Sequence, residues 1–229
     1  MTLHYREMPH NPLRATPIMV STRTGRRSIY LTGGKRAFDL ALCILSAPFA
    51  LPLIAVLALL VVLRDGKNPF YRQRRVGRHG RIYTMWKLRT MICDADAQLE
   101  AYLARDPDAR REWDKHQKLK CDPRITRMGR LLRRSSMDEL PQLWNVMRGD
   151  MSLVGPRPML PEQRALYPGQ DYYDLHPGIT GSWQVSDRNR SSFAERAGFD
   201  TSYRRTVSLR EDIRILCATV RVVIRATGY

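Results

Sequence analysis

Closely spaced cysteines are missing from this chain. Its four cysteines, Cys43, Cys93, Cys121 and Cys217, stand far apart, and no pair has the short spacing that a zinc or redox site uses. A reducing compartment is the plain reading. Acidic residues are also few, 22 Asp and Glu against 39 Lys and Arg over 229 residues, for a formal net charge of +17. That excess points to polyanionic partners: nucleic acid, anionic lipid or phosphorylated substrates. No helix-turn-helix and no aromatic RNA-binding signature accompanies it, so nucleic acid is not an expected partner. Internal repeats and low-complexity tracts are absent, and the length suits one domain with an appended segment. No secretory signal is visible, because the apolar run starts late and no small-residue cleavage site follows it; the run is expected in the mature protein.

What the chain does have is one long apolar segment. From Leu40 to Leu63 no charged residue occurs, a length that matches the roughly 20 residues of a membrane helix. Pro48 and Pro52 sit in its middle, each removing a backbone donor and clashing with the preceding turn, so the helix is expected to bend or break there. Arg23, Arg26, Arg27, Lys35 and Arg36 precede the run, and Arg64, Lys67, Arg72, Arg74 and Arg75 follow it. Positive flanks on both sides place both ends in the cytoplasm, which a re-entrant hairpin satisfies. A kinked spanning helix accommodates the same apolar run. Residues 1–34, rich in Pro, Ser, Thr, Arg and His, read as a mobile basic tail.

Beyond the membrane segment, PFYRQRR and RIYTMWKL alternate and are separated by Gly77 and Gly80, predicting two short strands or a hairpin. The stretch from Asp94 to Lys120 is highly charged, with Leu99, Tyr102 and Leu103 at helical spacing, predicting a solvated helix or helix pair. Near the C-terminus, Ile213, Leu216, Cys217, Val220, Val223 and Ile224 recur every three or four residues among Arg210, Arg214, Arg221 and Arg225. This basic amphipathic helix suits the lipid headgroup region, and suits packing on the protein's own core equally well. The expected fold is therefore α+β and mainly helical. It has a re-entrant membrane helix hairpin over 35–64 and a small cytoplasmic α/β body over 65–229, with interfacial amphipathic helices.

The chemistry-bearing stretch is RRSSMDELPQLWNVMRGDMSLVGPRP, from Arg133 to Pro158. Asp138 and Glu139 precede Pro141, and proline belongs in the first turn of a helix, so the acidic pair lies at a helix start. Taken alone this is an ordinary start: Ser136 and Glu139 have capping-box spacing, and Asp138 would make a good N-cap. Arg133, Arg134, Arg148 and Arg157 lie close by, and Arg157 is held between Pro156 and Pro158, a setting for bidentate phosphate recognition. A carboxylate flanked by cations can attack phosphorus, and a second can hold magnesium on a diphosphate. Asp138 and Glu139 fit those two roles in either order.

At these residues the sequence resembles the bacterial sugar transferase family, the monotopic polyprenyl phosphate phosphoglycosyl transferases of the exopolysaccharide-initiating type. The likeness runs from about Lys35 to the C-terminus. It is carried by KRAFDLAL at 35–42, KLRTM at 87–91, DPRITRMGRLLRRSSMDELPQLWNVMRGDMSLVGPRP at 122–158 and HPGITGSWQVSDRN at 176–189. The resemblance implies transfer of a sugar 1-phosphate from a UDP-sugar, galactose or glucose, to undecaprenyl phosphate. Asp138 would be the nucleophile of a covalent phosphosugar intermediate, and UMP would be released. It further implies Mg2+ held with Glu139, phosphates held by Arg133 and Arg157 with Lys87 and Arg89 as additional contacts, and residence on the cytoplasmic face of the bacterial inner membrane among lipid. Assembly as a homo-oligomer is left open.

Asp39 matches a family position read as anchoring the membrane hairpin, and reads equally as a helix cap. Two departures stand out. The family's Ser-Pro at the helix break is Leu51-Pro52 here, with Ser46 as the substitute hydroxyl, and Asp187 replaces a glycine. His176 and Trp183 are candidates for a nucleotide or sugar pocket or for plain structure. The competing function is a non-enzymatic membrane adaptor binding anionic lipid, which leaves Asp138, Glu139 and Arg157 without a role. For the re-entrant topology, cysteines introduced at Thr22 and at Asp96 are both expected to resist an impermeant thiol reagent in intact cells; labelling of the first alone would establish a spanning helix.

Overall fold

The computed structural model describes residues 30–116, 119, 121–186 and 193–224. Most of the basic tail and Asp187 lie outside the described residues. The tail boundary shifts, however: Tyr30–Gly34 form a helical turn that leads into helix α1, Lys35–Asp65. The Tyr30 hydroxyl donates to Asp212, which explains the order of that turn.

Helix α1 has 31 residues and runs without interruption through Pro48 and Pro52, so the prolines do not break it. Each proline costs the helix one backbone bond, leaving the carbonyls of Ile44 and Pro48 without their amide donors, and the Ser46 hydroxyl donates to the Cys43 carbonyl at 3.1 Å, so it does not replace the back-bond of the missing serine to a freed carbonyl. Phe49 is 80% exposed and Leu45 73%. The helix is long and apolar enough to cross a membrane. Its start is anchored. Asp39, buried, accepts from the Ser152 hydroxyl at 2.7 Å and the Leu153 amide at 3.1 Å, so it anchors the helix and does not cap it. Lys35 meets the fully buried Asp212 at 2.6 Å, where the Tyr203 hydroxyl also donates. Arg36 donates to the carbonyls of Val146 and Met147.

The predicted hairpin is present: β1, Phe70–Val76, pairs antiparallel with β2, Ile82–Leu88. Helices α2, Ala95–Arg105, and α3, Pro107–His116, answer to the predicted helix pair. They bury Leu99, Leu103 and Ala109 in a cluster of their own. Next come α4, Arg127–Arg134, a 3-10 turn, Met137–Glu139, and α5, Gln142–Arg148. Strand β3, Ser152–Val154, pairs in parallel with β4, Gly178–Thr180. Three helices complete the body, after a short α6, Asp171–Asp174: α7, Ser182–Val185, α8, Arg196–Thr206, and α9, Leu209–Ile224.

Helix α9 packs one face on the protein's own core and leaves another exposed. Asp212 and Ile215 are fully buried, and Thr219 bonds Thr180 at 2.6 Å. Of the residues that carried the apolar periodicity, Ile213, Cys217 and Val220 are exposed. The helix packs on the body along Asp212, Ile215 and Thr219, and the side chains of Asp212 and Thr219 find polar partners there.

Asn145 locks the hairpin to α5. It is wholly buried; its Nδ2 donates to the Thr84 carbonyl at 2.7 Å and its Oδ1 accepts from the Trp86 amide at 3.0 Å. These are the free-edge groups of β2, which a two-stranded ribbon would otherwise leave open. Replacing Asn145 with Ala leaves both buried groups without partners, each costing about 1–3 kcal/mol. Chemical denaturation of the detergent-solubilised protein is expected to show a loss of at least about 2 kcal/mol.

Candidate active site

The acidic pair occupies the 3-10 turn between α4 and α5. Ser136, just before it, is a non-glycine residue in left-handed conformation, φ +56°, an uncommon state that turns the chain sharply out of α4. The capping-box spacing is not used: Ser136 makes no side-chain cap. The Glu139 carboxylate instead accepts from Lys87 Nζ of β2 at 2.6 Å, and Asp138 Oδ2 lies 3.8 Å from the same ammonium. Asp138 is only 6% exposed. Burial pushes its carboxyl above the usual carboxylate range, Lys87 pulls it back, and Glu139 pushes it up again.

Arg133 reaches the turn from α4. Gly129 makes this possible: a Cβ there would stand 1.9 Å from the Thr90 carbonyl, so only glycine lets α4 lie against the strand end. Arg133 Nε then donates to Thr90 Oγ1 at 2.8 Å. Burial weakens its hold on its proton, and the negative charges of Asp138, Asp122 and Glu139 offset part of that loss.

These residues line an open groove of about 2140 Å³ that extends to Arg157, Trp183 and α9, with Leu53 of α1 on its wall. Lys87, Arg133, Asp138 and Glu139 come together. Arg157 lines the same groove but faces Trp183, with its guanidinium 5.7 Å from the ring centre. Arg89 lies on the groove wall and donates to the carbonyls of Lys67 and Asn68, clasping the chain as it leaves α1. Pro48 and Pro52 are exposed on α1, away from this cluster. Trp183 lines the groove, whereas His176 does not; burial and Arg78 push the His176 pKa down to about 4, which keeps it neutral.

Sequence reasoning missed Thr90, Asn145, Arg75 and Arg196. Arg75 of β1 donates to the Pro158 carbonyl at 3.0 Å, and Arg196 of α8 lies 4.1 Å over the Trp183 ring. Their contacts are tertiary, so no local pattern signalled them.

The bacterial sugar transferase family model matches residues 30–226. The chain belongs to this family. It is 48% identical over 196 residues to the UDP-galactose-lipid carrier transferase of Erwinia amylovora, and 46% identical over 196 residues to the undecaprenyl-phosphate galactose phosphotransferase of Salmonella typhimurium. Each alignment covers 85% of this chain and 41% of the relative, so the chain spans about two-fifths of those proteins. It is also 39% identical to exopolysaccharide production protein ExoY of Rhizobium meliloti, over 93% of this chain and 96% of the relative.

Among the described residues no group of three or more metal-ligating side chains exists. Adjacent carboxylates are nonetheless the donor set for magnesium on a nucleotide, which is held by one or two carboxylates plus substrate phosphates. Asp138 and Glu139 fit that description, and Lys87 already shows that the pair attracts a cation.

The linkage at Asp138 gives a test. Its carboxyl binds a proton more tightly in the folded protein than in the unfolded chain, so its contribution to stability falls as pH rises from the ordinary carboxylate range through the raised folded value. Lys87→Met removes the opposing cation and enlarges the effect. Relative to the parent, the thermal midpoint of Lys87→Met is expected to recover on acidification from about pH 7.5 to about 5.5.

Proposed function

We propose that the chain transfers a sugar 1-phosphate from a UDP-sugar to undecaprenyl phosphate, releasing UMP and starting exopolysaccharide synthesis. The observation that carries this reading is the buried Asp138 beside Lys87 and Glu139 on the wall of an arginine-lined groove. The names of the relatives support the substrate class: galactose appears in two, and an undecaprenyl-phosphate glucose phosphotransferase of Komagataeibacter xylinus is 38% identical over 201 residues. Galactose or glucose is the expected sugar.

In this reading Asp138 is the nucleophile. Its raised proton affinity marks a carboxylate poorly solvated for its charge, and so a better attacking group, while Lys87 keeps it ionised and oriented. Arg133 holds the phosphate that carries the sugar, next to Asp138, and Arg157 contacts the rest of the diphosphate; Arg89 is left out of these contacts, because its guanidinium already serves the carbonyls of Lys67 and Asn68. Bound magnesium, held by Glu139 with Asp138, would supply positive charge to the diphosphate. The mechanism is ping-pong: the phosphosugar resides on Asp138 until the polyprenyl phosphate takes it.

The groove wall contributed by Leu53 brings the apolar helix to the reacting groups, as a lipid-borne acceptor requires. We read α1 as re-entrant, on the cytoplasmic face of the inner membrane, with residues 65–229 as the catalytic domain. Cys43 packs in a cluster with Met85 and Val146, while Leu57, Ala58 and Val61 pack with Leu88 and Leu132. Both halves of the helix are thus seated in core clusters of the body. Apart from the buried Ala50, the residues at the prolines, Phe49 and Leu51 among them, stay exposed between these clusters, which supports entry and return on one side. Exposed Trp144, Ile213 and Val220 suit the headgroup boundary.

Purified protein with magnesium, undecaprenyl phosphate and a panel of UDP-sugars is expected to release UMP from one sugar. Asp138→Asn should abolish that release, by about 10³-fold or more, while membrane association is retained, and chelation with EDTA should suppress it. UMP release unchanged in Asp138→Asn would remove Asp138 as nucleophile; none from any sugar would return the chain to the adaptor reading.

A further inference from the structure

Three arginines converge at one end of the groove from separate parts of the chain: Arg75 on β1, Arg157 between its prolines, and Arg196 at the first turn of α8. They sit close enough to repel one another. Burial first, and then the charge of Arg157, pushes the Arg75 pKa down to about 10 and that of Arg196 to about 9. The buried Nε atoms of Arg75 and Arg196 have no acceptor among the described residues. Asp200, whose charge offsets that of Arg196, is already engaged by the Tyr167 hydroxyl at 2.6 Å. The carboxamide of Gln184, buried in the same wall, has no hydrogen-bond partner for either polar atom among the described residues. Such an arrangement is unfavourable when empty and becomes favourable when a dianion enters.

The arginines are also pre-aimed. Arg196 lies over the rings of Trp183 and Phe193, at 4.1 and 4.8 Å, and Arg157 approaches Trp183 from 5.7 Å. Stacking holds a planar guanidinium in one orientation at little entropic cost.

The hairpin sets the distance from this recess to Asp138. Arg75 pairs with Tyr83 and Lys87 with Tyr71, so Arg75 and Lys87 share one face of the ribbon, four residues or about 13 Å apart. Lys87 is turned to Glu139, and Arg75 to the Pro158 carbonyl. The two cations therefore do not meet on a single phosphate, and a molecule touching both neighbourhoods must extend along the ribbon.

We propose that this recess receives the nucleoside monophosphate half of the donor. Arg75 and Arg196 join Arg157 on the phosphate that departs with the nucleoside, while Lys87 and Arg133 stay with the sugar phosphate at Asp138. The inference rests on the reading of Asp138 as phosphosugar acceptor. In the step, a bond forms between an Asp138 carboxylate oxygen and the sugar-bearing phosphorus. The bond from that phosphorus to the bridging oxygen breaks, and the electron pair stays on the departing nucleotide. The added negative charge develops in the arginine recess. Polyprenyl phosphate has one phosphate, which must itself reach Asp138, so it leaves the recess empty.

Arg75→Gln and Arg196→Gln, with the matching lysine variants, test this in the full-length protein with UDP-sugar, UMP and undecaprenyl phosphate. In the glutamine variants the KM for the UDP-sugar and the inhibition constant of UMP are expected to rise together by about tenfold or more, with lysine restoring part of the loss. The KM for undecaprenyl phosphate should stay within about twofold of the parent. Calorimetric titration of UMP into Asp138→Asn, with and without Arg196→Gln or Arg196→Lys, reads the same site without turnover; weaker UMP binding is expected in both double variants. Unchanged UMP binding in these folded variants overturns the proposal, as does a selective rise in the KM for undecaprenyl phosphate. A parent that binds UMP in an Arg196-dependent way but transfers no sugar phosphate would overturn the reading of Asp138 and leave the recess standing.

Discussion

The ion contact of Lys87 with Asp138 and Glu139 is the interaction on which the rest of the site depends. Two adjacent carboxylates, one of them almost fully buried, repel each other and lose hydration; without a cation at hand the chain would protonate one or turn it outward. Lys87 is supplied by β2, so the strand, the 3-10 turn and the helices on either side of the turn must hold a common position. Asn145 holds α5 to the edge of β2, and Gly129 lets α4 close against Thr90. Each of these devices acts through backbone groups, which fix position more rigidly than side-chain packing alone.

The same rigidity extends to the apolar helix. Asp39, Lys35 and Arg36 tie its first turns to β3, α9 and the end of α5, and Leu57, Ala58 and Val61 seat its second half beside Leu88. The apolar segment is thereby referenced to the acidic turn from both ends. The proposed transfer of a sugar phosphate from a water-soluble nucleotide to a lipid-borne phosphate makes that geometric demand, since Asp138 must then sit where both substrates reach it.

Much of the site was legible because it is local in sequence. Asp138, Glu139 and Pro141 lie within four residues, and proline's restriction to a first helical turn placed the pair at a helix start without reference to the fold. Lys87 entered through its place in KLRTM, by resemblance, and the structure brings it to Glu139. Arg89 comes from the same KLRTM run, yet it is spent on carbonyls at the exit of α1, because β2 ends at Leu88 and the alternation that would have kept Arg89 on the face of Lys87 stops there. The two arginines that flank Arg157 were invisible for the opposite reason: β1, the Pro156–Pro158 segment and α8 are separated widely in sequence, and nothing in the neighbourhood of Arg75 or Arg196 distinguishes them from the other basic residues of a chain with 39 Lys and Arg.

By itself the sequence determined the apolar helix, the β1–β2 hairpin, the α2–α3 pair, the C-terminal helix, a helix start at the acidic pair and the family resemblance, since each depends on short-range spacing, on proline's covalent restriction or on the absence of charge; β3, β4, α4 and α6–α8 carried no such pattern. Only the tertiary structure decided which cations serve the acidic pair, which face of α9 the body buries, and that Asp39 anchors its helix without capping it. Those outcomes are set by long-range contacts, where burial leaves each polar group to take whichever partner the packed backbone brings within reach.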